Sequence, residues 1–519
     1  MPVLDLRPTR KGPLRLDSVP EILRPLIRAY LLGYASAVAP RLLTLVLQHV
    51  AKRRRKAANQ LSLDLDDSSF FKSAIRIVKT GFNPQRFPTF CAILAGGTTL
   101  LQKLHSLLLR YCITVLSCQE YLNERYVIGT RLKLIRYKEP LKSILEKTAK
   151  GLSEAGPTFL AAWFGLRLLH SYEGRAYTET VPPKEGSPPD TEPQTVRFAG
   201  RTMDLTLFAV TRALDVVVGD VWARHKARRL ASNKWTKTER FVSRFVDPLV
   251  FAASSGLVMW AWFYHPKRLP RSYNKWITSA ASVDLRLIEA LRRCHTGEFQ
   301  YGKETGQAHL LQGMCVDYEW PLAWGDPAVV VPIPCQMVHM SSGPSCEHHA
   351  ISRFFRAWKW SMATYLPLTL ALALRNPSHK ALRRAIVSSC RSSSFLATFI
   401  TLFYYGVCLS RTRIGPRLPG GTTIERRQHM DSGICVGTGC FLCGWSILIE
   451  TEGRRKDIAL FVAPRAMATI LPRRYSLDKE WRERLVFAIS TAIVFTCVSE
   501  NPDRVRGVFG KMLRMVLSA

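Results

Sequence analysis

The chain has 519 residues, 47% of them hydrophobic, which is long and apolar enough for a large core or for several domains. Its 74 lysine and arginine residues outnumber its 39 aspartate and glutamate residues, which gives a formal net charge of +35. Such a balance indicates nucleic acid, an anionic membrane surface, or basic loops beside membrane spans. Because the basic residues cluster between apolar runs, without interleaved aromatic motifs, the sequence argues against nucleic acid as a partner.

The amino-terminal segment and the cysteines indicate in which cellular compartments the protein can reside. Most of the 13 cysteines lie in or beside apolar runs, which suits a reduced or membrane environment better than a disulfide framework. The segment 1–26 lacks the continuous apolar stretch of a secretory signal peptide, and its acidic residues argue against a mitochondrial presequence. We therefore expect any organelle address to be internal. The basic cluster 52–56 is compatible with peroxisomal membrane targeting, and a nuclear localisation signal is the alternative.

Continuous apolar runs predict helices along the whole chain, because they do not alternate as the strands of a membrane β-barrel do. Several runs are shorter than the roughly 20 residues that a perpendicular span needs, so a soluble helical protein is the alternative. A GxxxG pair at Gly433 and Gly437 and an aromatic belt at 258–273 favour membrane spans. In chain order the predicted spans are 29–48, 87–110, 156–171, 203–221, 247–264, 358–375, 392–410, 432–450, 457–472 and 484–498.

Two motifs recur in the same order along the chain. RTMDLTLFAVTRA at 201–213 resembles RRKDIALFVAPRA at 454–466, and LVFAAS at 249–254 resembles LVFAIS at 485–490. The second pair is followed at equal offsets by Pro266 with Arg268, and by Pro502 with Arg504. Ordered self-similarity of this kind indicates a duplicated unit, and convergence between similar helices is the alternative. The sequence therefore predicts an all-α, multi-pass transmembrane helical protein with two repeated bundles of about four helices.

The repeats and the polar stretches divide the chain into four segments. An N-terminal segment with one helix and the basic cluster is followed by a first membrane bundle, a polar connector with a cysteine–histidine motif, and a second membrane bundle. Basic residues are not biased towards alternate loops, so the sequence does not predict the orientation in the membrane. The four predicted segments are 1–84, 85–264, 265–357 and 358–510.

The connector carries the best candidate for chemistry, a cluster with the spacing C-x3-H-x6-C-x2-H. Thiolate and imidazole ligands together favour zinc, and four of them would close a tetrahedral structural site with no position open for substrate. The spacing belongs to no standard zinc finger. A Cys335–Cys346 disulfide, or a turn without metal, are the alternatives. The predicted ligands are Cys335, His339, Cys346 and His349.

The sequence predicts no enzyme. A phosphate-binding loop, a dinucleotide-binding motif, a nucleophile elbow, a metalloprotease helix motif and a suitably spaced carboxylate pair are all missing from it. The CFLC motif at 440–443 has redox spacing, but an apolar span is not the electropositive setting that a reactive thiol needs, so helix packing is favoured. No cofactor is predicted apart from the possible structural zinc.

Charged residues inside the apolar runs form a second candidate set, since an ionised group at mid-depth costs about 2.5–3.5 kcal/mol on insertion scales. Asp204 and Asp457 lie near the starts of their runs, where they can extend to the interface. Arg212 and Arg465 lie deeper, and we expect each to face the interior with a carboxylate or carbonyl partner. Asp215 is the neighbour of Arg212 at i+3, whereas the partner of Arg465 is expected on another helix. The set is Asp204, Arg212, Asp215, Asp457 and Arg465.

Four longer segments of the second half of the chain are distinctive: CEHHAISRFFRAWKWSMATYLPLTL at 346–370, SSSFLATFITLFYYGVCL at 392–409, GCFLCGWSILIE at 439–450 and LVFAISTAIVFTCVSENPDRVRG at 485–507. These segments resemble the transmembrane protein 135 family. The segment from Cys335 to Cys346 is similar to the cysteine-rich motif of that family, with Tyr365 and Pro367 in the helix that follows. The resemblance covers about 330–510, and 85–265 more loosely. The connector at 265–333 departs from the family pattern.

The resemblance implies a non-enzymatic integral membrane protein of the peroxisome or the mitochondrion, acting in lipid or metabolite movement or in organelle dynamics. The family is distantly related to an inner-membrane protein translocase family, so a translocase-like channel is one alternative. A metal-dependent membrane enzyme centred on 335–349 is another. The expected partners are the lipid bilayer and a further copy of the chain or another subunit, but no nucleic acid.

Overall fold

The computed structural model describes residues 19–59, 67–123, 155–172, 177–181, 194–340, 342–374, 376–417, 419 and 421–517. These residues are almost all helical, with three short strands, so the predicted all-α class is confirmed. The chain divides into two compact units. Unit 1 comprises 1–224 and 474–519, and unit 2 comprises 225–473. The predicted segment boundaries do not coincide with this division.

Unit 1 is built from helices on both sides of unit 2 in the sequence. A short antiparallel sheet belongs to it, in which Thr178 of β1 (Thr178–Val181) pairs with Arg197 of β2 (Gln194–Ala199), and Ala199 pairs with Tyr475 of β3 (Tyr475–Ser476). Its helices are α1 (Arg24–Asn59), α2 (Asp67–Gly81), α3 (Phe87–Asn123), α4 over 155–170, the first part of α5 (Met203–Ala231), α16 (Glu480–Glu500) and α17 (Gly507–Leu517).

The core of unit 1 depends on close helix packing and on one buried carboxylate. A Cβ atom added at Gly96 of α3 would lie 2.6 Å from Leu26 of α1, so only glycine lets these two helices approach. Glu483, in the first turn of α16, is 6% exposed. Its Oε1 accepts hydrogen bonds from Thr202 at 2.5 Å and Thr206 at 3.1 Å, and its Oε2 accepts one from the hydroxyl of Tyr475.

Unit 2 is helical throughout the part that the structure describes. Its first helix begins with a capping box, in which Thr236 accepts from the backbone of Glu239 while the Glu239 side chain accepts from the backbone of Thr236. Its helices are α6 (Lys237–Tyr264), α7 (Arg271–Ala281), α8 (Leu285–Thr296), α9 (Ala308–Asp317), α10 (Cys335–Val338), α11 (Cys346–Ala373), α12 (His379–Leu409), α13 (Ile424–His429), α14 (Cys435–Cys443) and α15 (Glu452–Ile470).

Two wide turns interrupt the helices of unit 2. A π-helical turn at Ser410–Ile414 continues α12, and a second at Met430–Ile434 joins α13 to α14. Such turns insert an extra residue into the helical repeat and are frequent at functional sites. Here each of them carries one member of a buried ion pair that is described below.

Four helical segments of the described residues are long and apolar enough to cross a membrane. Each overlaps a span predicted from the sequence, which supports a membrane protein. The run at 203–221 differs because α5 carries Asp204, Arg212, Asp215 and Asp220 within it. The four segments are Arg24–Val50, Lys237–Tyr264, His379–Arg417 and Ile424–Ile449.

The repeated motifs occupy matching helices, but two repeated bundles are not seen in the described residues. The first motif begins α5 and α15, and the second lies in α6 and α16. Unit 1 contains α5 and α16, whereas unit 2 contains α6 and α15, so each unit combines one helix from each copy. Positions buried in both copies include Leu207 with Leu460, Ala209 with Val462, Ala213 with Ala466, Phe251 with Phe487, and Ser254 with Ser490.

Candidate functional site

Unit 2 contains a cavity of about 720 Å³. Side chains of α6, α7, α11, α12 and α15 line it, and most of them are aliphatic or aromatic. Two of these helices, α6 and α12, are candidate membrane spans. A volume of this size lies within the range of small-molecule sites, about 300–1,000 Å³. The aromatic residues of the wall are Phe251, Trp262, Tyr273, Trp276, Tyr365, Phe395, Phe399, Phe403, Tyr404 and Phe461.

Polar groups are concentrated at one end of this cavity. Arg454 of α15 donates from Nη1 to Ser392 Oγ at 2.6 Å and from Nη2 to Ser388 Oγ on α12. Ser392 in turn donates to Glu450 Oε1 at 2.6 Å. Asp457, one of the charges predicted from the sequence, is half-buried, lines the cavity and lies three residues after Arg454 on α15. The cavity is therefore amphipathic, with long apolar walls and one charged end.

Glu450 is the least satisfied member of the polar end. The residue is 2% exposed, and its Oε2 accepts no hydrogen bond within the described residues. Arg454 Nη1 lies 3.8 Å from this oxygen, beyond hydrogen-bond distance. Leaving a buried carboxylate oxygen without a donor is costly, so a ligand that donates a hydrogen bond there would be favoured.

Three of the four predicted zinc ligands lie together. The ligand atoms of Cys335, His339 and Cys346 are all within 4.8 Å of one another. Cys335 begins α10 and Cys346 begins α11, and the loop between them turns through Gly343, whose φ of +83° is readily adopted only by glycine. Burial lowers the pKa of His339, so its ring is neutral, as a metal ligand must be.

His339 is held by hydrogen bonds at both ring nitrogens. Its Nδ1 lies 2.8 Å from the carbonyl oxygen of Gly343, and its Nε2 lies 3.3 Å from Cys408 Sγ on α12. Cys408 lies far beyond Cys346 in the sequence, on another helix, so no local spacing indicates that it belongs to the cluster.

His349, the fourth predicted ligand, is placed beside the cluster. Its ring stacks on that of His339, with centroids 4.5 Å apart and planes inclined by 15°. The residue is 1% exposed, and neither ring nitrogen has a hydrogen-bond partner within the described residues. Burial lowers the pKa of His349 to about 3, so the ring is neutral at physiological pH. The role of His349 as a ligand stays a prediction.

A buried ion pair lies next to the cluster in the sequence. Arg411, three residues after Cys408, bonds Asp431 and also donates to the carbonyl of Ile333 at 2.8 Å. The hydroxyl of Tyr301 donates to Asp431 Oδ2 at 2.5 Å. The sequence showed Arg411 only as part of a basic stretch at 410–427, and nothing in that stretch indicates a buried position.

The charges predicted in the apolar run of α5 differ in their environments. Asp204 is exposed in the first turn, where a carboxylate is favoured by the helix dipole. Arg212 is 6% exposed; it donates to the carbonyl of Arg506 at 3.4 Å, and its guanidinium lies over the rings of Phe208 and Phe509. Asp215 bonds the guanidinium of Arg506, with Nε at 3.2 Å from Oδ2.

Arg465 on α15 is half-buried. Its Nη1 donates to the carbonyl of Phe461 on its own helix, and a partner for Arg465 on another helix stays a prediction. The guanidinium carbon lies 3.6 Å from the ring centroid of Phe461 and 5.4 Å from that of Tyr273 on α7. The neighbouring helix therefore contributes an aromatic face to the environment of Arg465.

The CFLC motif forms part of the packed core. Cys440 and Cys443 are both buried in α14, and Cys443 Sγ donates to the carbonyl of Cys440 at 3.3 Å. This placement agrees with the packing role predicted from the sequence.

Comparison of the chain with protein-family models, with curated proteins and with solved structures finds no match. The resemblance to the transmembrane protein 135 family therefore stays a prediction.

Proposed function

We propose that the chain is a non-enzymatic integral membrane protein that binds an acyl lipid in the cavity of unit 2 and acts in lipid movement. This proposal rests on the amphipathic lining of the cavity. Its apolar walls suit an acyl chain, and its polar end, formed by Glu450, Arg454 and Asp457 with the serines of α12, suits a head group. The family resemblance points to lipid handling independently of this geometry.

The position of the polar end favours a lipid over a soluble metabolite. Glu450 directly follows Ile449, the last residue of a candidate span, and α15 begins two residues later at Glu452. A span terminus lies at the level of lipid head groups, whereas the middle of a span lies among acyl chains. A lipid whose chain occupies the apolar part of the cavity would thus have its head group beside Arg454 and Glu450.

Photo-crosslinking tests lipid binding directly. The full chain in detergent is incubated with a diazirine-bearing palmitate, and separately with a diazirine-bearing phospholipid, and the labelled peptides are mapped by mass spectrometry. We expect labels on the lining residues of α6, α7 and α12. The phospholipid arm distinguishes a membrane lipid from a free fatty acid. Labelling confined to surfaces outside the cavity would contradict the proposal.

Matched variants locate the site. Ala280 lines the cavity on α7 and Ser279 beside it is exposed, so Ala280→Phe should reduce labelling severalfold while Ser279→Phe should not. At the polar end, Arg454→Gln should weaken labelling by the phospholipid. Lys456→Gln should not, because Lys456 precedes Asp457 in α15 but does not itself line the cavity. Equal labelling of Ala280→Phe and Ser279→Phe would place the lipid elsewhere.

We further propose that the membrane is that of the peroxisome or the mitochondrion, where the protein would act in lipid or metabolite movement or in organelle dynamics. The support is the resemblance and the basic cluster 52–56, which follows the first candidate span, Arg24–Val50. Imaging of a tagged chain beside organelle markers tests this; a plasma-membrane or nuclear signal would contradict it. Crosslinking to a translocating precursor would instead favour the translocase-like channel.

A further inference from the structure

We infer that Cys335, His339, Cys346 and Cys408 form a structural zinc site in unit 2, with the thiol of Cys408 on α12 as the fourth ligand. The spacing of the sequence motif had predicted His349 as the fourth ligand. The geometry around His339 and the orientation of the His349 ring favour Cys408 over His349.

His339 is already oriented as a ligand. A carbonyl oxygen only accepts hydrogen bonds, so the proton of the neutral ring lies on Nδ1, which donates to Gly343 at 2.8 Å. The lone pair of Nε2 is therefore directed away from Gly343 and towards Cys408 Sγ, 3.3 Å away. Histidines that bind metal usually donate their second ring nitrogen to a carbonyl or carboxylate, which fixes the tautomer and the direction of the ring.

Two further thiols lie near this histidine. The ligand atoms of Cys335, His339 and Cys346 all lie within 4.8 Å of one another, and Cys408 interacts electrostatically with both Cys335 and Cys346. Zinc binds sulfur at about 2.3 Å and imidazole nitrogen at about 2.0–2.1 Å, so neighbouring donors of a tetrahedral site lie about 3.5–3.8 Å apart. The separation of 3.3 Å between His339 Nε2 and Cys408 Sγ is close to this range, and binding of zinc would draw the thiols of Cys335 and Cys346 towards it.

His349 cannot share the same ion with His339 in the observed arrangement. The lone pair of an imidazole nitrogen lies in the plane of its ring. The two rings are stacked, with centroids 4.5 Å apart and planes only 15° from parallel, so an ion in the plane of one ring lies outside the plane of the other. His349 instead packs as a neutral ring between His339 and Tyr404, whose ring it meets edge-on at 6.1 Å.

A site of this kind would tie together three elements of unit 2. Its ligands come from the two ends of α10, from the start of α11 and from the end of α12, and four protein ligands leave no position for substrate. Because zinc binds thiolates, loading would release the protons of the three thiols and would contribute binding free energy to the folded unit.

Metal analysis of the full chain, purified in detergent without chelators, tests the site. We expect about one zinc per chain in the wild type, and loss of that zinc in Cys335→Ser, Cys346→Ser and Cys408→Ser. His349→Gln should retain it, as should Cys440→Ser, the control for loss of a buried thiol outside the cluster. Zinc lost in His349→Gln but retained in Cys408→Ser would overturn the inferred ligand set in favour of the spacing-based one.

Because a cysteine variant can fail to fold, X-ray absorption at the zinc edge of the wild-type chain gives an independent answer. Three sulfur ligands at about 2.3 Å and one nitrogen at about 2.0–2.1 Å are expected. Two sulfurs and two nitrogens would overturn the role of Cys408. A metal-free chain whose non-reduced peptide map shows a Cys335–Cys346 bond would overturn the zinc site altogether.

Discussion

Arg411 and Asp431 bond each other through two parallel hydrogen bonds, from Nε to Oδ1 at 2.6 Å and from Nη2 to Oδ2 at 3.0 Å. Their side chains are 3% and 1% exposed, and each residue lies in a π-helical turn. Within the described residues the carboxylate also accepts from Tyr301, and the guanidinium also donates to Ile333. Both charges are thus extensively hydrogen-bonded, which is the condition under which a buried pair is tolerated.

Removing one member of this pair should destabilise unit 2 strongly. Arg411→Leu leaves the Asp431 carboxylate buried without its cation, a change that costs about 3–5 kcal/mol in proteins generally. Arg413→Leu is the control, since Arg413 and its partner Glu347 are both largely exposed and such pairs contribute about 0–1 kcal/mol. Chemical unfolding of the purified chain measures both. The double variant Arg411→Met with Asp431→Leu should recover much of the loss; failure of Arg411→Leu to exceed Arg413→Leu would contradict the buried role.

Replacement by alanine should destabilise the protein at one glycine of α14 and have little effect at another. A Cβ atom at Gly439 would lie 2.7 Å from the carbonyl oxygen of Phe403 on α12, a backbone atom that cannot move aside cheaply. At Gly437, two residues earlier, the nearest atom is in the ring of Trp260 at 3.8 Å, an ordinary contact. Gly439→Ala should therefore lower the melting temperature of the purified chain, and Gly437→Ala should leave it nearly unchanged. Equal effects would show that α12 and α14 are not in this close contact.

Glu483 should make the stability of the chain depend on pH. Burial raises the pKa of Glu483, but the nearby imidazole of His170, 3.9 Å from Oε1, and hydrogen bonds from Thr202 and Tyr475 outweigh burial and hold this pKa below its usual value. A carboxyl group with a depressed pKa in the folded state stabilises that state above its unfolded pKa, about 4.3, and loses this contribution as the pH falls through the folded pKa.

The corresponding variant is Glu483→Gln, which should cost about 1–3 kcal/mol at neutral pH because a charged, hydrogen-bonded acceptor is lost. Melting temperatures from pH 7 to pH 3 should show the difference from wild type shrinking below about pH 4. Glu500→Gln, at the exposed end of the same helix, is the control. A difference that stays constant with pH would contradict the proposed role of the Glu483 carboxylate.

Arg212 and Arg465, which occupy equivalent positions in the repeated motifs, should contribute differently to stability. Arg212→Leu leaves the carbonyl of Arg506 without this donor and removes a cation from two aromatic rings, with an expected cost of about 1–3 kcal/mol. Arg465→Leu should cost less, because Arg465 is half-buried and bonds a carbonyl of its own helix. Arg228→Leu, at an exposed position in the last turn of α5, is the control. Protein levels and unfolding should rank the three in this order, and an Arg228→Leu variant as damaged as Arg212→Leu would refute it.

Local patterns predicted the helices and part of the candidate site. Continuous apolar runs indicated the regions of α1, α6, α12 and α14, where the four candidate spans lie. Cys335, His339 and Cys346 lie within twelve positions of one another, so spacing alone could bring them together. Spacing could not indicate Cys408, which reaches the cluster only because α12 packs against α11.

Contacts between distant residues were beyond a pattern-based analysis. The GxxxG pair at Gly433 and Gly437 indicated close packing in α14, but the glycine that meets the backbone of α12 is Gly439. A GxxxG motif predicts that another helix can pack closely against the helix that carries it. The position of that neighbouring helix determines which residue is in contact. The polar end of the cavity also depends on a contact between distant residues, since Ser392 of α12 bonds Glu450 and Arg454, which lie far later in the sequence.

The division of the chain into units has a consequence for its biosynthesis. Unit 2 is formed by the continuous segment 225–473, whereas unit 1 needs 474–519, which are synthesised after that segment. The core of unit 1 includes Phe487, Val494 and Phe495 of α16. The helices of unit 1 that precede unit 2 in the sequence therefore keep apolar surface exposed while all of unit 2 is synthesised. A chain that stops after Arg473 should therefore retain a protease-resistant unit 2, whereas α3 to α5 should become sensitive to proteolysis. During synthesis, the incomplete unit 1 should be the part of the chain most prone to aggregate and to bind chaperones.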